Sequence, residues 1–557
     1  MLLRKVSKWD RIADVVVVGS GGAALTAAVT AAAGGAQVTI LEKSDKVGGT
    51  TGVSGGVLWI PANYHMKELG VEDSPEEALR YIRRLTMGRE PDPALIDDFV
   101  ATGGDVVQWL EDNTPVKMFP TKWFADYYAD MPGGKREGRS LEPHVFEART
   151  HLGDWVARVR ISPYEPLLTM EEKFSLGLSG KLRDGRPVEE VIAARARSGA
   201  AVIGGALISM LLKGCLDRGA TVLTKTPARE LVVDDDGRVV GIRAESAGAA
   251  TLIGARRGVV LAAGGYEWNT ELVRSFLSVP SLAALSPPFN EGDALIMGLE
   301  AGAAVANMNS AWWFPAMRDP TMTYEGKPLY HLGAGRNVAG TIVVNKHGRR
   351  FANEGTTYQD YPKSLMSYDP VAVEFPNESP VWMIFDQRAK DSQVLLNMMP
   401  GQPAPQWVTR STSIRGLAEL IGVPPDALVE TLERFNANAA RGVDPDFHRG
   451  TVYWENFLAG GPSAAANLAP ITTPPFYALP IYLGALGTNG GLRIDVDGRV
   501  RSLRGGIIEG LYAAGNTAAN IFGAMYPAGG ATIGPAIVFG HHAGKHAASN
   551  RVAKSLD

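Results

Sequence analysis

The chain has 557 residues, 45% of them hydrophobic and 20% charged, and a formal net charge of −4. That length exceeds what one small core needs and predicts two domains, while the near-neutral balance without a long basic run argues against nucleic-acid binding. The single cysteine, Cys215, excludes an intrachain disulfide framework, Cys₄ zinc and cysteine-ligated iron–sulfur clusters, and reads as a small buried apolar residue.

The first stretch, MLLRKVSKWDRIADVVVVGSGG, has a short valine run ending in a glycine loop. It does not read as a signal peptide, and a cytoplasmic location is expected. Residues 14–42, DVVVVGSGGAALTAAVTAAAGGAQVTILE, predict strand, loop, helix and strand. Val15–Val18 is a continuous β-branched run of the kind buried on both faces of a parallel sheet. Gly19, Gly21 and Ala24 follow in GxGxxA spacing: a tight turn, a bare backbone for a pyrophosphate to approach, and a small residue where helix meets strand. Gly22 and Ala23 open the helix, whose N-terminus favours phosphate charge. The second strand ends at Glu42, about 20 residues on, where a carboxylate can accept ribose hydroxyls, and Lys43 follows it.

This fingerprint does not separate FAD from NAD. The next stretch, EKSDKVGGTTGVSGGVLWIP, does. Gly49, Thr50, Thr51, Ser54, Gly55 and Gly56 make a second loop of glycines and hydroxyls, which an extended FAD needs and NAD does not. Further along, SGAAVIGGALISMLLKGCL predicts a buried helix rather than a membrane span. RRGVVLAAGGYEWN gives a strand ending at Ala263 and Gly264, and IIEGLYAAGNTAAN one ending at Gly515 and Asn516. Three glycine-ended strands so far apart predict one discontinuous FAD-binding domain. The last stretch, GAMYPAGGATIGPAIVFG, sets Tyr526 and Pro527 against Gly529 and Gly530, and then Thr532 and Ile533 lead into a helix with Pro535 in its first turn.

With these motifs in hand, the chain resembles the flavoproteins of the fumarate reductase and succinate dehydrogenase type, and within them the 3-ketosteroid Δ1-dehydrogenases. The similarity is carried by VVVGSGGAA, GGTTGVSGGVLWIPAN, GVVLAAGGYEWN, RRFANEGTTYQDY, PPFYALPIYLGALGTNGGLRIDVDGRV and GLYAAGNTAANIFGAMYPAGGATIGPA. The family turn usually reads Tyr-Pro-Gly-x-Gly, and Ala528 takes the first glycine place here. The resemblance implies an α/β fold: a discontinuous Rossmann-like FAD-binding domain of the glutathione-reductase type over residues 1–318 and 488–557, with an inserted α+β catalytic domain over 319–487. The connector Gly460–Pro475 precedes the return to strand-and-turn text. Residues 132–190 form a longer stretch than in compact members. Their mixture of apolar and basic residues in RISPYEPLLTMEEKFSLGL leaves open a plain insertion or peripheral contact with a membrane surface.

The implied activity is 1,2-desaturation of a 3-ketosteroid. Tyr526 and the Gly530 N–H would hold the ketone oxygen as an oxyanion hole does. Tyr358 would take the proton, and Tyr127, with Tyr128 beside it as the alternative, would support it. A free phenol titrates near pH 10 and is a poor base, so Tyr358 needs a neighbouring donor or cation. A 3-keto-5α-steroid Δ4-dehydrogenase, a fumarate-reductase-like enzyme and a non-catalytic flavin module remain alternatives. Against the second stands the absence of arginine from Gly505 to Asn550, since a dicarboxylate needs converging cations. The sequence carries no second NAD-type fingerprint, so an external electron acceptor such as a quinone is expected. The nine histidines show no metal spacing.

Overall fold

The computed structural model describes residues 3–553 except 5, 7, 123, 177–180, 334, 460–462, 464 and 465. Parts of the 132–190 stretch and of the connector Gly460–Pro475 therefore lie outside the described residues.

Strand Arg11–Val18 runs through the middle of a nine-stranded sheet. Val15–Val18 are buried, which is why this run does not alternate with polar residues. Val15 pairs in parallel with Val38 on one side and Gly258 on the other. The second half of strand Ala249–Leu261 pairs in parallel with Ile507–Ala513, so a late segment joins a sheet begun at the N-terminus. The carboxyl ends of these strands lie side by side, where open α/β sheets bind ligands.

Helix Gly22–Ala33 lies against the last long helix, Ile533–Ser549. Small residues set the approach. A Cβ on Gly540 would stand 2.6 Å from the Ala23 carbonyl oxygen, and one on Gly544 2.3 Å from that of Ala27. The close packing fixes the first turn of each helix relative to the other. Helix Ile203–Asp217 is also buried, and its Cys215 thiol is pushed up to about 12 by burial. Among the described residues no helix is long and apolar enough to cross a membrane.

A second sheet of seven strands centres on the antiparallel pair Ala311–Tyr324 and Phe476–Thr488, continued by Val381–Asp386 and Thr341–Val344. Helices Ile414–Ile421 and Pro425–Ala439 bury Leu417, Leu428 and Leu432 against Ile342, Val344 and Ile384 of this sheet. The 132–190 stretch adds Ser140–Pro143 to a small three-stranded sheet. It then forms helix Met170–Ser175, which opens with a Thr169–Glu172 capping box. The buried Glu142 accepts the Met170 and Glu171 amides and so anchors the helix start. Burial pushes its carboxyl up to about 7.

Candidate active site

One continuous cleft runs from the carboxyl ends of the parallel strands to the second sheet, with about 1850 Å³ of empty space counting its mouth.

At the sheet end the lining includes Gly19, Gly21, Gly22, Ala23, Glu42, Lys43, Gly49, Thr50, Thr51, Ser54, Gly55, Gly56, Ala263, Gly264, Gly515 and Asn516. Ala24 differs from the rest. It is fully buried and does not line the cleft, because its place in the motif turns it into helix packing. Gly19 has φ +105°, and a Cβ there would meet the Ala262 carbonyl oxygen at 2.3 Å. A Cβ on Gly21 would meet nothing nearer than 3.9 Å, so the space over that amide is open to a ligand. The two loops are tied together. Ser20 Oγ donates to Glu42 at 2.5 Å and accepts the Gly48 amide at 3.1 Å, and the Gly22 amide donates to Thr51 Oγ1 at 3.2 Å. Glu42 also accepts the Ser44 amide at 2.7 Å and keeps lone pairs for ribose hydroxyls. Bare amides, hydroxyls, a helix N-terminus and an acid around one groove fit a dinucleotide.

At the other end three tyrosines from distant segments meet. Ring centroids are 5.3 Å apart for Tyr127–Tyr358 and 5.6 Å for both Tyr127–Tyr526 and Tyr358–Tyr526. Tyr127 follows the buried Asp126, which accepts the buried Trp59 Nε1 and Arg139 and the amide of the half-buried Lys135. The Tyr127 amide donates to the Pro527 carbonyl at 2.9 Å, and Tyr81 Oη donates there at 2.7 Å, so this turn is held from two sides. Tyr128 gives its hydroxyl to Asp360 and does not line the cleft, so the cleft tyrosine of the pair is Tyr127. Trp312 packs on Tyr526 at 4.9 Å, Phe314 on Tyr358 at 4.5 Å and Trp454 on Tyr127 at 4.3 Å.

Gly529, Gly530, Thr532 and Ile533 line the cleft beside Tyr526. Gly530 has φ +98°, and a Cβ there would stand 2.6 Å from the Trp59 amide nitrogen. Its carbonyl accepts the Trp59 and Gly534 amides. Thr532 Oγ1 donates to Tyr526 Oη at 3.3 Å. Burial raises all three tyrosine pKa values, those of Tyr127 and Tyr358 well above 10, with the charge of neighbouring tyrosines adding to it; hydrogen bonding with Tyr358 partly relieves Tyr127, and the Thr532 side chain, Tyr358 and the Gly530 and Thr532 amides partly relieve Tyr526. The hydroxyls are therefore protonated at neutral pH and act first as donors.

Several cleft residues carry no local sequence signal. Asn290 Nδ2 donates to Thr50 Oγ1 and to the buried Glu267, and Trp312 Nε1 donates to Asn516 Oδ1. Arg160, Tyr164 and Met170 come from the 132–190 stretch, which thus builds part of the wall. The last-helix histidines hold structure: His541 Nδ1 meets Thr30 Oγ1, His542 the Val496 carbonyl and His546 Tyr512 Oη. Burial takes His541 down to about 4.

The family model described as "FAD binding domain" matches residues 14–533. The chain belongs to this FAD-binding family. It is 39% identical over 540 residues to the 4-oxocyclohexanecarboxylate 2-dehydrogenase of Sinomonas cyclohexanicum, covering 96% of this chain and 92% of that protein. It is 36% identical over 562 residues to the 3-oxosteroid 1-dehydrogenase of Mycobacterium tuberculosis, covering 96% and 98%. It matches the crystal structure of 3-ketosteroid Δ1-dehydrogenase from Sterolibacterium denitrificans in complex with 1,4-androstadiene-3,17-dione with a TM-score of 0.88 at 32% identity, covering 97% and 100%. The fold is the mixed α/β architecture of these flavoenzymes. The chain is an FAD-dependent oxidoreductase.

Proposed function

We propose that this chain introduces a double bond between C1 and C2 of a 3-ketosteroid. The observation that carries the reading is the buried Tyr127–Tyr358–Tyr526 cluster, set beside Gly530 in a cleft whose walls there are apolar. In the relatives' names the dehydrogenated carbon stands two positions from the oxo carbon, in 3-oxosteroid 1-dehydrogenase and 4-oxocyclohexanecarboxylate 2-dehydrogenase alike. A common chemistry follows, in which the ketone acidifies its α-carbon and the β-carbon gives up a hydride.

Bound FAD supplies the hydride acceptor. Gly21, Gly22 and Ala23 would hold its pyrophosphate, Glu42 and Lys43 the ribose side, and Thr50, Thr51, Ser54, Gly55 and Gly56 the middle of the molecule. Ala263, Gly264, Gly515, Asn516, Gly529, Thr532 and Ile533 would hold the ring end, with the N-terminus of Ile533–Ser549 favouring negative charge there. Tyr526 Oη–H and the Gly530 N–H grip the C3 oxygen and stabilise the enolate as the C2 proton leaves, an arrangement in which one donor contributes about 3 kcal/mol. Tyr358, once it has given up its own phenolic proton, takes the C2 proton, and Tyr127 supports its hydroxyl. The electrons then pass to an external acceptor of quinone type.

The substrate class follows from charge. Among the described residues, the cations on the cleft wall are Lys43, held by Glu291 and Asp293 at 2.8 and 2.6 Å, and Arg160, held by Glu325 at 3.1 Å. Arg160 also donates to Ser44, which puts it on the dinucleotide side. Around the tyrosines stand Phe124, Trp312, Phe314 and Leu486. A carboxylate there would be desolvated and unpaired. That favours a neutral fused-ring ketone over a keto acid. The exposed Ile161 and Phe174 are the side chains through which the 132–190 stretch would touch a bilayer holding so insoluble a substrate.

Turnover of a saturated 3-ketosteroid followed by NMR of the product tests the reading. A 1,2-double bond is expected. A 4,5-double bond supports the Δ4 alternative, and turnover of 4-oxocyclohexanecarboxylate with no steroid turnover refutes the steroid reading.

A further inference from the structure

Burial opposes the task given to Tyr358, since a phenolate inside this cluster needs positive charge close by. Most cations around it are already spent. Arg139 serves Asp73 and Asp126, Arg350 serves Glu354 and Asp444, and Arg449 lies against Glu354. Lys363 pairs with Asp360, which also takes the Tyr128 hydroxyl. Glu455, next to the Trp454 that packs on Tyr127, is engaged by the Gly450 amide and Asn353.

Arg336 is different. It is 5% exposed and has no carboxylate partner among the described residues. Its Nη2 donates to the Thr356 carbonyl at 2.5 Å, two residues before Tyr358, and its guanidinium lies 5.2 Å from the centre of the Tyr361 ring. Its Nε and the Tyr361 hydroxyl are buried without a hydrogen-bond partner, and the Tyr127 hydroxyl turns to Tyr358. The charged and titratable groups it faces are Tyr361, Arg449, Glu354 and Tyr127. Tyr127 in turn faces Tyr526, Tyr358, Tyr128 and Arg336. Buried polar atoms are rarely left unpaired and a buried unpaired cation is costly, so such a group beside a reacting tyrosine is a candidate for function. Desolvation takes Arg336 down to about 10, which leaves it charged at neutral pH.

We propose that Arg336 is a positioning residue for the base: a guanidinium without a carboxylate partner among the described residues, bonded to the Thr356 carbonyl two residues before Tyr358, that stabilises negative charge on the Tyr127–Tyr358 pair. This rests on the desaturation reading above. The pair first loses a phenolic proton to solvent. The C2–H bond then breaks, an O–H bond forms at Tyr358, and the C–H electron pair moves into the enolate whose oxygen Tyr526 and Gly530 hold. The charge thus leaves the tyrosines for the substrate, and Arg336 acts before that transfer.

The test compares the holoprotein with Arg336→Met and Arg336→Lys. The Met variant is expected to keep its FAD and its KM, and to move the rising limb of the kcat–pH profile up by roughly 1–3 pH units. Below the limb each unit costs about tenfold in rate. The Lys variant, which keeps the charge, should lie near the parent. A second readout needs no turnover: in near-ultraviolet difference titration, tyrosinate should appear at higher pH in Arg336→Met. An unmoved limb and unmoved titration overturn the inference, as does a rate loss equal at every pH. If Arg336→Met does not fold, a limb unchanged in Arg336→Gln overturns it equally. Failure of the parent protein to turn over any 3-ketosteroid would instead refute the desaturation reading, and the titration would still report the Arg336–phenol coupling.

Discussion

The two ends of the cleft are built by opposite means. The dinucleotide end is made of backbone: glycine amides, short hydroxyl side chains and helix N-termini, in which a missing side chain is the functional feature. The tyrosine end is made of large side chains, three phenols packed within 5.6 Å of one another and walled by Trp312, Phe314 and Trp454. Adding atoms should damage the first end, and removing single atoms should damage the second. Ser140–Pro143 and the turn at Pro527 join the two, since Ser140 Oγ donates to the Gly529 carbonyl and Tyr127 docks on Pro527.

Substitutions that separate chemistry from cofactor binding sharpen this contrast most. Tyr358→Phe should retain FAD and lower turnover by about 10²–10⁴, the usual contribution of a general base. Tyr526→Phe should lower it by about 10²–10³. Flavin absorbance against protein, with the single-turnover rate of flavin reduction, measures both. Loss of flavin in either variant would mean that the two ends are not separable. The converse is Gly19→Val, whose Cβ alone would meet the Ala262 carbonyl at 2.3 Å; the flavin-to-protein ratio should fall while the tyrosine end stays packed.

The legibility of each end follows from the same contrast. The Val15–Val18 strand, its glycine loop and Glu42 lie in one short stretch, so local spacing carries their geometry. Ala24, expected among the cofactor-binding residues because it completes the GxGxxA motif, is buried in helix packing and stands away from the cleft, because spacing does not tell which side of a helix faces a ligand. Tyr127, Tyr358 and Tyr526 share no local pattern. Only the family resemblance groups them, and the separation of Tyr127 from Tyr128 comes from Asp360, a partner far away in sequence. Arg160, Asn290, Trp312 and Arg336 have no motif at all, since their places depend on which segments the two sheets bring together.

Smaller effects concern the frame. Gly544→Val would push a side chain into the Ala27 carbonyl and should destabilise the protein by about 1–3 kcal/mol through overpacking, seen as a lower unfolding midpoint with FAD bound. Glu142 gives a pH signature. Its folded pKa of about 7 lies above the ordinary 4.5, so the folded protein binds the extra proton between those values. Its contribution to stability is therefore present at the acid end of that window and is lost as pH rises through it. Glu142→Gln should flatten the pH dependence of stability across this window, as read by denaturant unfolding at a series of pH values. An unchanged slope would mean that the carboxylate is better solvated than its burial implies.

The most direct measurement is anaerobic mixing of the oxidised holoprotein with a neutral 3-ketosteroid and, separately, with 4-oxocyclohexanecarboxylate, following the flavin absorbance. Bleaching by the steroid, with little by the keto acid, is the result expected of an apolar cleft whose cations are already paired. A flavin that stays oxidised with the steroid, yet bleaches with the keto acid or with dithionite alone, would contradict it.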